Sequence, residues 1–264
     1  MRIIGEKING TRKRVAAAIA DRDAGYITDL AVSQAEAGAA WLDLNAGTLP
    51  DREPDDLVWL VRTVQAVTDT PLSLDSANPT ALEHALAHVE RTPIINSISA
   101  EPGRIEGILP LAARHGTGVV ALAISETGIP ETAAERIAVV EELIGLTRSS
   151  GVADGDVYVD PLVLTVATNN DSALISLDTM RMVGGEFPDV HMTVGLSNVS
   201  FGLPARALVN RGFLTLAIAA GLDTAIADPL DKGLQAQILV TEMLLGRDRH
   251  CLEYVRASRT GLFD

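Results

Sequence analysis

Polar side chains follow nearly every short apolar run of this chain, and carboxylates and amides dominate among them. The runs end at Gly5-Glu6-Lys7-Ile8-Asn9, Asp43-Leu44-Asn45, Asp75-Ser76-Ala77-Asn78, Asn96-Ser97, Asp160-Pro161, Ser197-Asn198 and Asp228-Pro229. A single Asp or Asn at such a position often only caps the next helix or forms a turn. Their recurrence along one chain instead predicts a shared binding site, because unpaired carboxylates are expensive to bury.

These side chains favour hydrogen bonding to a neutral heterocycle. A carboxylate accepts two parallel hydrogen bonds from adjacent N–H groups, and an asparagine both donates and accepts. The amino-pyrimidinone edge of a pterin presents such groups. A histidine-activated nucleophile is hard to build, because His84 and His88 lie on a predicted outer helix and His191 opens a strand. A magnesium site stays open as a second interpretation; its ligands would be Asp43, Asp75, Asp160 and Asp228.

Apolar runs alternate with longer helical patterns along the whole chain. The predicted strands cover residues 1–5, 41–45, 72–75, 93–96, 118–124, 157–160, 191–196 and 222–228. Helices are predicted over residues 24–38, 55–68, 80–90, 104–115, 131–149, 171–184, 207–221 and 230–245. Strand–helix units of this number in 264 residues favour an α/β fold with a single (β/α)8 TIM barrel as one domain, residues 1–264. The carboxyl ends of barrel strands meet at one opening, the barrel mouth.

Composition limits the possible partners. The formal net charge is −14, from 35 acidic and 21 basic residues, so a nucleic-acid partner is not expected. Hydrophobic residues make up 47% of the chain, which is typical of a globular domain. The single cysteine, Cys251, the absence of a signal-peptide pattern and the lack of a long apolar run predict a cytoplasmic protein without a membrane span.

Seven segments carry a family resemblance, in order from the first strand to the last. They are IIGEKING (residues 3–10), DLNAG (43–47), LSLDSAN (72–78), INS (95–97), YVDPL (158–162), GLSNVSFGLP (195–204) and AIADP (225–229). With them the chain resembles the methyltetrahydrofolate:corrinoid protein methyltransferases. These are barrels of the pterin-binding type, related to the folate domain of cobalamin-dependent methionine synthase.

The resemblance implies both a ligand and a reaction. Asp75, Asn96 and Asp160 would hold the pterin ring, and Asn198 would be the catalytic residue that reaches N5. A methyl group would move between N5 of tetrahydrofolate and the cobalt of a corrinoid carried by a separate protein. No metal ligand set is implied, and relatives suggest a homodimer. Arg206 would meet the anionic glutamate tail of the folate, and Ser197 is either a supporting partner or only a strand-end hydroxyl.

Two alternatives remain beside this interpretation. Dihydropteroate synthase shares the barrel, but its seventh strand typically ends in Ser-Arg-Lys and its eighth carries Arg-x-His, where this chain has Ser197-Asn198-Val199 and Ala227-Asp228-Pro229. A catalytically silent pterin-binding subunit is the other alternative, and the presence of Asn198 counts against it. The cobalamin signature Asp-x-His-x-x-Gly is only approached, by residues 189–195, so the corrinoid is expected on another protein.

Overall fold

The computed structural model describes residues 1–101 and 103–263. The strands are β1 (Arg2–Asn9), β2 (Trp41–Asn45), β3 (Leu72–Asp75), β4 (Ile94–Ile98), β5 (Gly118–Leu122), β6 (Val157–Asp160), β7 (His191–Met192) and β8 (Thr224–Ala227). The helices are α1 (Lys13–Asp21), α2 (Ala24–Glu36), α3 (Glu53–Gln65), α4 (Pro79–Leu86), α5 (Arg104–His115), α6 (Ala133–Ser149), α7 (Ser172–Glu186), α8 (Arg206–Ala219), α9 (Lys232–Leu244) and α10 (Leu252–Arg259).

The eight strands form one parallel sheet that closes on itself. Strands β1 to β7 pair in chain order, and β8 pairs with the other edge of β1. The last gap closes beyond the short β7, where the Ile226 N–H donates to the Val194 carbonyl at 3.0 Å and Gly195 bridges Ile226 in parallel. The predicted (β/α)8 barrel is therefore confirmed.

Alternation along the strands divides the barrel interior into two levels. Successive side chains point to opposite faces of a strand, so one set faces the helices and the other faces the barrel axis. Near the amino ends, Ile4, Ile94, Val120 and Tyr158 form a buried cluster, here called the apolar floor. Two residues further along β4 and β6, Asn96 and Asp160 replace these apolar side chains. The same alternation that builds the floor therefore places the polar residues above it.

The structure departs from the predicted elements at several places. Strand β1 continues to Asn9 rather than ending at Gly5, and its pairing with β2 shifts between Gly5 and Ile8. Such an irregularity lets a strand carry the polar pair Glu6-Lys7 without losing its neighbour. Strand β7 is much shorter than predicted, and a 3-10 turn follows over Leu196–Ser200. Helices α1 and α10 were not predicted; α1 adds a helix to the first crossover, and α10 follows the last barrel helix.

Candidate active site at the carboxyl ends of the strands

Strands β2, β3 and β4 contribute a hydrogen-bonded group of polar side chains at the barrel mouth. Ser73 Oγ donates to Asp43 Oδ1 at 2.7 Å, and Asn96 Nδ2 donates to the same oxygen at 3.4 Å. Asn45 Nδ2 donates to Asp75 Oδ2 at 2.9 Å. These residues and Asp160 are here called the polar ring: Asp43, Asn45, Ser73, Asp75, Asn96 and Asp160. The predicted residues Asp75 and Asn96 lie side by side, since they are paired across β3 and β4.

One buried acceptor in this ring has no protein partner. The side-chain nitrogen of Asn45 donates its hydrogen bond to Asp75. The oxygen of the same amide, Asn45 Oδ1, is buried and receives no hydrogen bond from any described residue. Buried acceptors are normally paired, and an unpaired one marks a position where a ligand or water donates. The ring therefore contains one buried acceptor that a water molecule or a ligand N–H could pair.

The carboxyls of the ring are shifted towards their neutral forms. Burial raises the pKa of Asp43 well above its ordinary range, the nearby Asp75 raises it further, and the Ser73 and Asn96 donors oppose the change. Burial also raises the pKa of Asp75, against the hydrogen bond from Asn45. Two adjacent carboxyls with raised pKa values, the buried Asp43 and the partly exposed Asp75, are typical of a functional site.

Asp160 connects β6 to the segment after β7. Its side chain is only 6% exposed. Leu162 N–H donates to Oδ1 at 2.7 Å, and Gly195 N–H donates to Oδ2 at 3.3 Å. Burial raises the pKa of Asp160 to about 6, while the two backbone donors and the positive charge of Arg136 act in the opposite direction.

Arg136 is a part of this site that the sequence did not reveal. It lies on α6, which was predicted as an outer helix, yet the residue is only 1% exposed. Its guanidinium donates to the carbonyls of Pro130, Pro161 and Leu162, at 3.1, 2.7 and 2.6 Å. An arginine in an amphipathic helix is ordinarily solvated, so no local pattern distinguishes this one.

Asn198 lies in the 3-10 turn Leu196–Ser200, here called the Asn198 turn, and is exposed. The turn begins directly after Gly195. The side chain of Asn198 lies in the space beside that glycine. A Cβ atom built on Gly195 would lie 2.9 Å from Asn198 Nδ2. The absence of a side chain at residue 195 therefore makes room for the Asn198 amide.

Arg206 is bonded back onto the Asn198 turn. Its Nε donates to Ser200 Oγ at 3.0 Å, its Nη2 donates to the Ser197 carbonyl at 2.6 Å, and the guanidinium carbon lies 5.8 Å from the centre of the Phe201 ring. Ser197 thus supports this contact through its backbone oxygen. The structure brings Ser197, Asn198 and Arg206 together, on the side of the mouth where Asp160 lies.

A pair of opposite charges completes the mouth between β1 and β8. Lys7 Nζ lies 2.7 Å from Asp228 Oδ2, and the neighbouring Glu6 accepts from Arg12 at 3.0 Å. Burial raises the pKa of Glu6, Arg12 opposes it, and the nearby charge of Asp228 adds to it. The sequence marked these strand ends as polar, but it assigned no role to Glu6 and Lys7, and it named Asp228 only as a ligand in the alternative magnesium interpretation.

Among residues 1–101 and 103–263, no group of three or more His, Cys, Asp or Glu side chains is arranged to hold a metal ion. None of the helices in this part of the chain combines the length and apolar character needed to cross a membrane.

The closed parallel barrel and its polar mouth define a (β/α)8 protein with a site for a hydrogen-bonding ligand. Residues 5–228 match the family model described as pterin binding enzyme. The chain therefore belongs to the pterin-binding enzyme family, as the sequence segments predicted.

Two curated relatives are similar to this chain over most of its length. The chain is 36% identical over 263 residues to methylcorrinoid:tetrahydrofolate methyltransferase of Eubacterium limosum, an alignment that covers 99% of this chain and 97% of that protein. It is 33% identical over 237 residues to methionine synthase of Mycobacterium tuberculosis, covering 85% of this chain but only 20% of that protein. The second relative is thus a much longer protein, of which this chain matches one region.

Solved structures give the same fold at lower identity. Dihydropteroate synthase from Thermus thermophilus superposes with a TM-score of 0.67 at 20% identity, and 93% of each chain is covered. Yersinia pestis DHPS with a pterine-sulfa conjugate gives a TM-score of 0.67 at 19% identity, again with 93% coverage of both chains. At these identities the likeness concerns the barrel fold alone.

Proposed function

We propose that this protein is a methyltransferase that moves a methyl group between N5 of tetrahydrofolate and the cobalt of a corrinoid carried by a separate protein. The observation that carries the proposal is the 36% identity, over nearly the full length of both chains, to methylcorrinoid:tetrahydrofolate methyltransferase. The match of 237 residues to methionine synthase agrees with methyl-transfer chemistry. In this proposal folate and corrinoid are both substrates.

The pterin ring is proposed to lie on the polar ring, above the apolar floor. Asp75, Asn96 and Asp160 are its hydrogen-bonding partners, and the unpaired Asn45 Oδ1 offers one further acceptor for a ligand N–H. The flat bicyclic pterin ring also needs an apolar surface beneath it, and the apolar floor supplies that surface. This arrangement directs the N5 side of the ring towards the opening, where Asn198 lies.

Asn198 is proposed to act at N5 through a hydrogen bond. When the N5–methyl bond breaks towards the corrinoid, its electron pair stays on N5, which takes up a proton from solvent, and the reduced Co(I) corrinoid supplies the electron pair of the new cobalt–methyl bond and becomes methyl-Co(III). The reverse direction forms the N5–methyl bond, releases the proton to solvent and returns the electron pair to cobalt. The amine is a poor leaving group as long as N5 is neutral, because the electron pair that stays on it would make it anionic, so N5 has to gain a proton or a hydrogen bond as the N5–methyl bond breaks. An amide does not titrate near neutral pH, so Asn198 orients and stabilises rather than supplying a proton. Only a gain that is larger in the transition state accelerates the reaction.

Arg206 and Ser197 are proposed to have paired roles at the rim. Through Nε and Nη2, Arg206 holds the Asn198 turn, and its positive charge remains close to where the anionic glutamate tail of folate would leave the mouth. Ser197 fixes the arginine through its carbonyl. Both therefore support binding of the folate and the placement of Asn198.

The corrinoid protein is proposed to dock on the mouth, because direct transfer requires the cobalt to approach N5. Exposed apolar residues lie on several loops that leave the carboxyl ends of the strands, and we call them the apolar rim: Leu49, Leu164, Phe201 and Leu230. Apolar side chains grouped around an opening are typical of protein contact sites. A homodimer, which the resemblance suggests, and a cytoplasmic location, which the cysteine content and the lack of a signal-peptide pattern suggest, are further proposals.

Calorimetric titration separates this function from dihydropteroate synthesis. We expect methyltetrahydrofolate to bind and a pterin diphosphate to bind poorly, since Ser197-Asn198-Val199 and Ala227-Asp228-Pro229 carry no Arg, Lys or His where dihydropteroate synthase typically has these residues. A methyl-transfer assay with free cobalamin, followed by the absorbance change of the corrinoid, then tests the reaction itself. Binding of the diphosphate alone, or folate binding without any methyl transfer, would contradict the proposal.

A further inference from the structure

Arg136 is a buried cation whose hydrogen bonds all go to one small region of backbone. A buried charge is unfavourable unless polar groups compensate it. Here the compensation comes from three carbonyl oxygens, those of Pro130, Pro161 and Leu162. Two of them belong to the residues directly after Asp160, and the third belongs to the loop before α6. Arg136 thus ties two loops of the barrel mouth together from below.

The turn that Arg136 holds has an unfavourable backbone conformation. Leu162 has a φ of 63°, in the left-handed region that disfavours residues with a Cβ atom. In this conformation its N–H points back to Asp160 Oδ1 at 2.7 Å. Such strain persists only where the surroundings impose it, and the guanidinium hydrogen bonds to the Pro161 and Leu162 carbonyls hold both sides of this turn.

We propose that Arg136 is a positioning residue for Asp160: by clamping the carbonyls of Pro161 and Leu162, it fixes the carboxylate in the orientation that receives the pterin ring. This inference rests on the proposed function, because it assigns Asp160 to the pterin. The guanidinium charge acts in the same sense, since it favours the ionised form of Asp160 and opposes the rise in pKa that burial causes. Arg136 touches no substrate in this arrangement.

The test compares Arg136→Met, Arg136→Lys and wild type. We expect Arg136→Met to weaken methyltetrahydrofolate binding at least tenfold and to move the pH midpoint of binding upwards, because both the clamp and the charge are lost. Arg136→Lys keeps the charge, so its pH midpoint should lie closer to that of wild type. In methyl transfer the loss should fall mainly on the KM for folate, because Asp160 holds the ring equally in the ground and transition states.

A matched control lies on the same helix. Arg148 pairs with Asp154 at an exposed position, so Arg148→Met removes an arginine from α6 without touching the Asp160 turn and should leave folate binding unchanged. Leu162→Gly provides a rescue, because glycine adopts positive φ without strain. Added to Arg136→Lys, it should recover part of the lost affinity if the arginine acts by holding the turn.

A ligand-free readout keeps this inference separate from the proposed function. The titration of the Asp160 carboxyl can be followed by isotope-edited NMR and assigned with Asp160→Asn. We expect its midpoint to rise in Arg136→Met even if the wild type proves not to bind folate. A folded Arg136→Met variant with a wild-type midpoint and wild-type affinity would overturn the proposal. Should that variant fail to fold, Arg136→Lys decides alone: unchanged affinity and no effect of Leu162→Gly would overturn it.

Discussion

The backbone N–H of Gly195 lies 3.3 Å from Oδ2 of Asp160, so one hydrogen bond joins the predicted pterin-binding carboxylate to the start of the segment that carries Asn198. The residue proposed to hold the ring and the residue proposed to act at N5 therefore belong to one connected unit. A change at Gly195 should affect both, and it can be made without altering either functional side chain.

Gly195→Ala should reduce methyl transfer more than it reduces stability. A Cβ atom at this position would come within 2.9 Å of Asn198 Nδ2, which is the movable end of a side chain, so the amide shifts and the fold is kept. We expect a lower kcat and a nearly unchanged unfolding temperature. Gly184→Ala is the control, because no atom within 4 Å would meet its Cβ. A normal kcat in Gly195→Ala would show that the position of the Asn198 amide does not matter.

Asn198→Ala should lower kcat by about 100- to 1000-fold, the usual effect of removing one hydrogen-bond donor to a developing charge. The Kd for methyltetrahydrofolate should change much less, because the ring is held by other residues. Single-turnover kinetics and calorimetry measure the two quantities separately. If kcat is nearly normal while affinity falls, Asn198 is a binding residue only.

Folate binding should weaken as the pH falls through about 6. Burial raises the pKa of Asp160 to about 6, so the carboxyl is neutral below this pH and ionised above it. The ionised form accepts the ring N–H donors, and affinity should therefore rise with pH and reach a plateau above 6. Below the midpoint the loss approaches about tenfold per pH unit for a single group.

Calorimetry across pH 5 to 8 measures this dependence, with Asp160→Asn as the control. The raised pKa values of Asp43 and Asp75 act in the same direction. The difference between the wild-type and Asp160→Asn profiles therefore isolates the contribution of Asp160. Identical profiles would mean that another carboxyl governs the binding.

Phe201→Ser should weaken productive docking of the corrinoid protein. Phe201 is 68% exposed on the apolar rim, so its loss should raise the KM for the corrinoid protein while the Kd for folate stays constant. Leu244→Ser is a matched control, because Leu244 is 74% exposed at the end of α9. Equal effects of the two substitutions would argue that the rim has no special part in docking.

The barrel and most of its polar ring could be predicted, because they follow from the alternation of side-chain direction along a strand. Parallel barrel strands alternate between the helical layer and the axis, so the places where Asp75, Asn96 and Asp160 interrupt apolar runs already indicated inward-facing polar groups. The prediction of the barrel is confirmed, and so is membership of the pterin-binding family. The substrate contacts assigned to Asp75, Asn96, Asp160, Ser197, Asn198 and Arg206 all stay predictions.

Other features depend on tertiary contacts that no local pattern contains. Helical periodicity placed Arg136 on an outer helix, but it could not show that the guanidinium passes beneath the turn after Asp160. The segment after Met192 looked like a continuous strand up to Leu196, because Val194 and Leu196 are apolar. Only isolated pairings continue as far as Gly195, and the backbone then turns away at Leu196 to form the Asn198 turn. The extension of β1 beyond Gly5 was not predicted, because the charged residues Glu6 and Lys7 are unusual inside a strand and looked like the start of a loop.

The apolar floor has a consequence for the order of events. Ile4, Ile94, Val120 and Tyr158 fill the barrel beneath the polar ring, so folate and the corrinoid protein must share the mouth. Whichever substrate lies deeper has to arrive before the other closes over it. For the proposed reaction this means sequential kinetics with a ternary complex, in which the pterin is the first to enter and the last to depart.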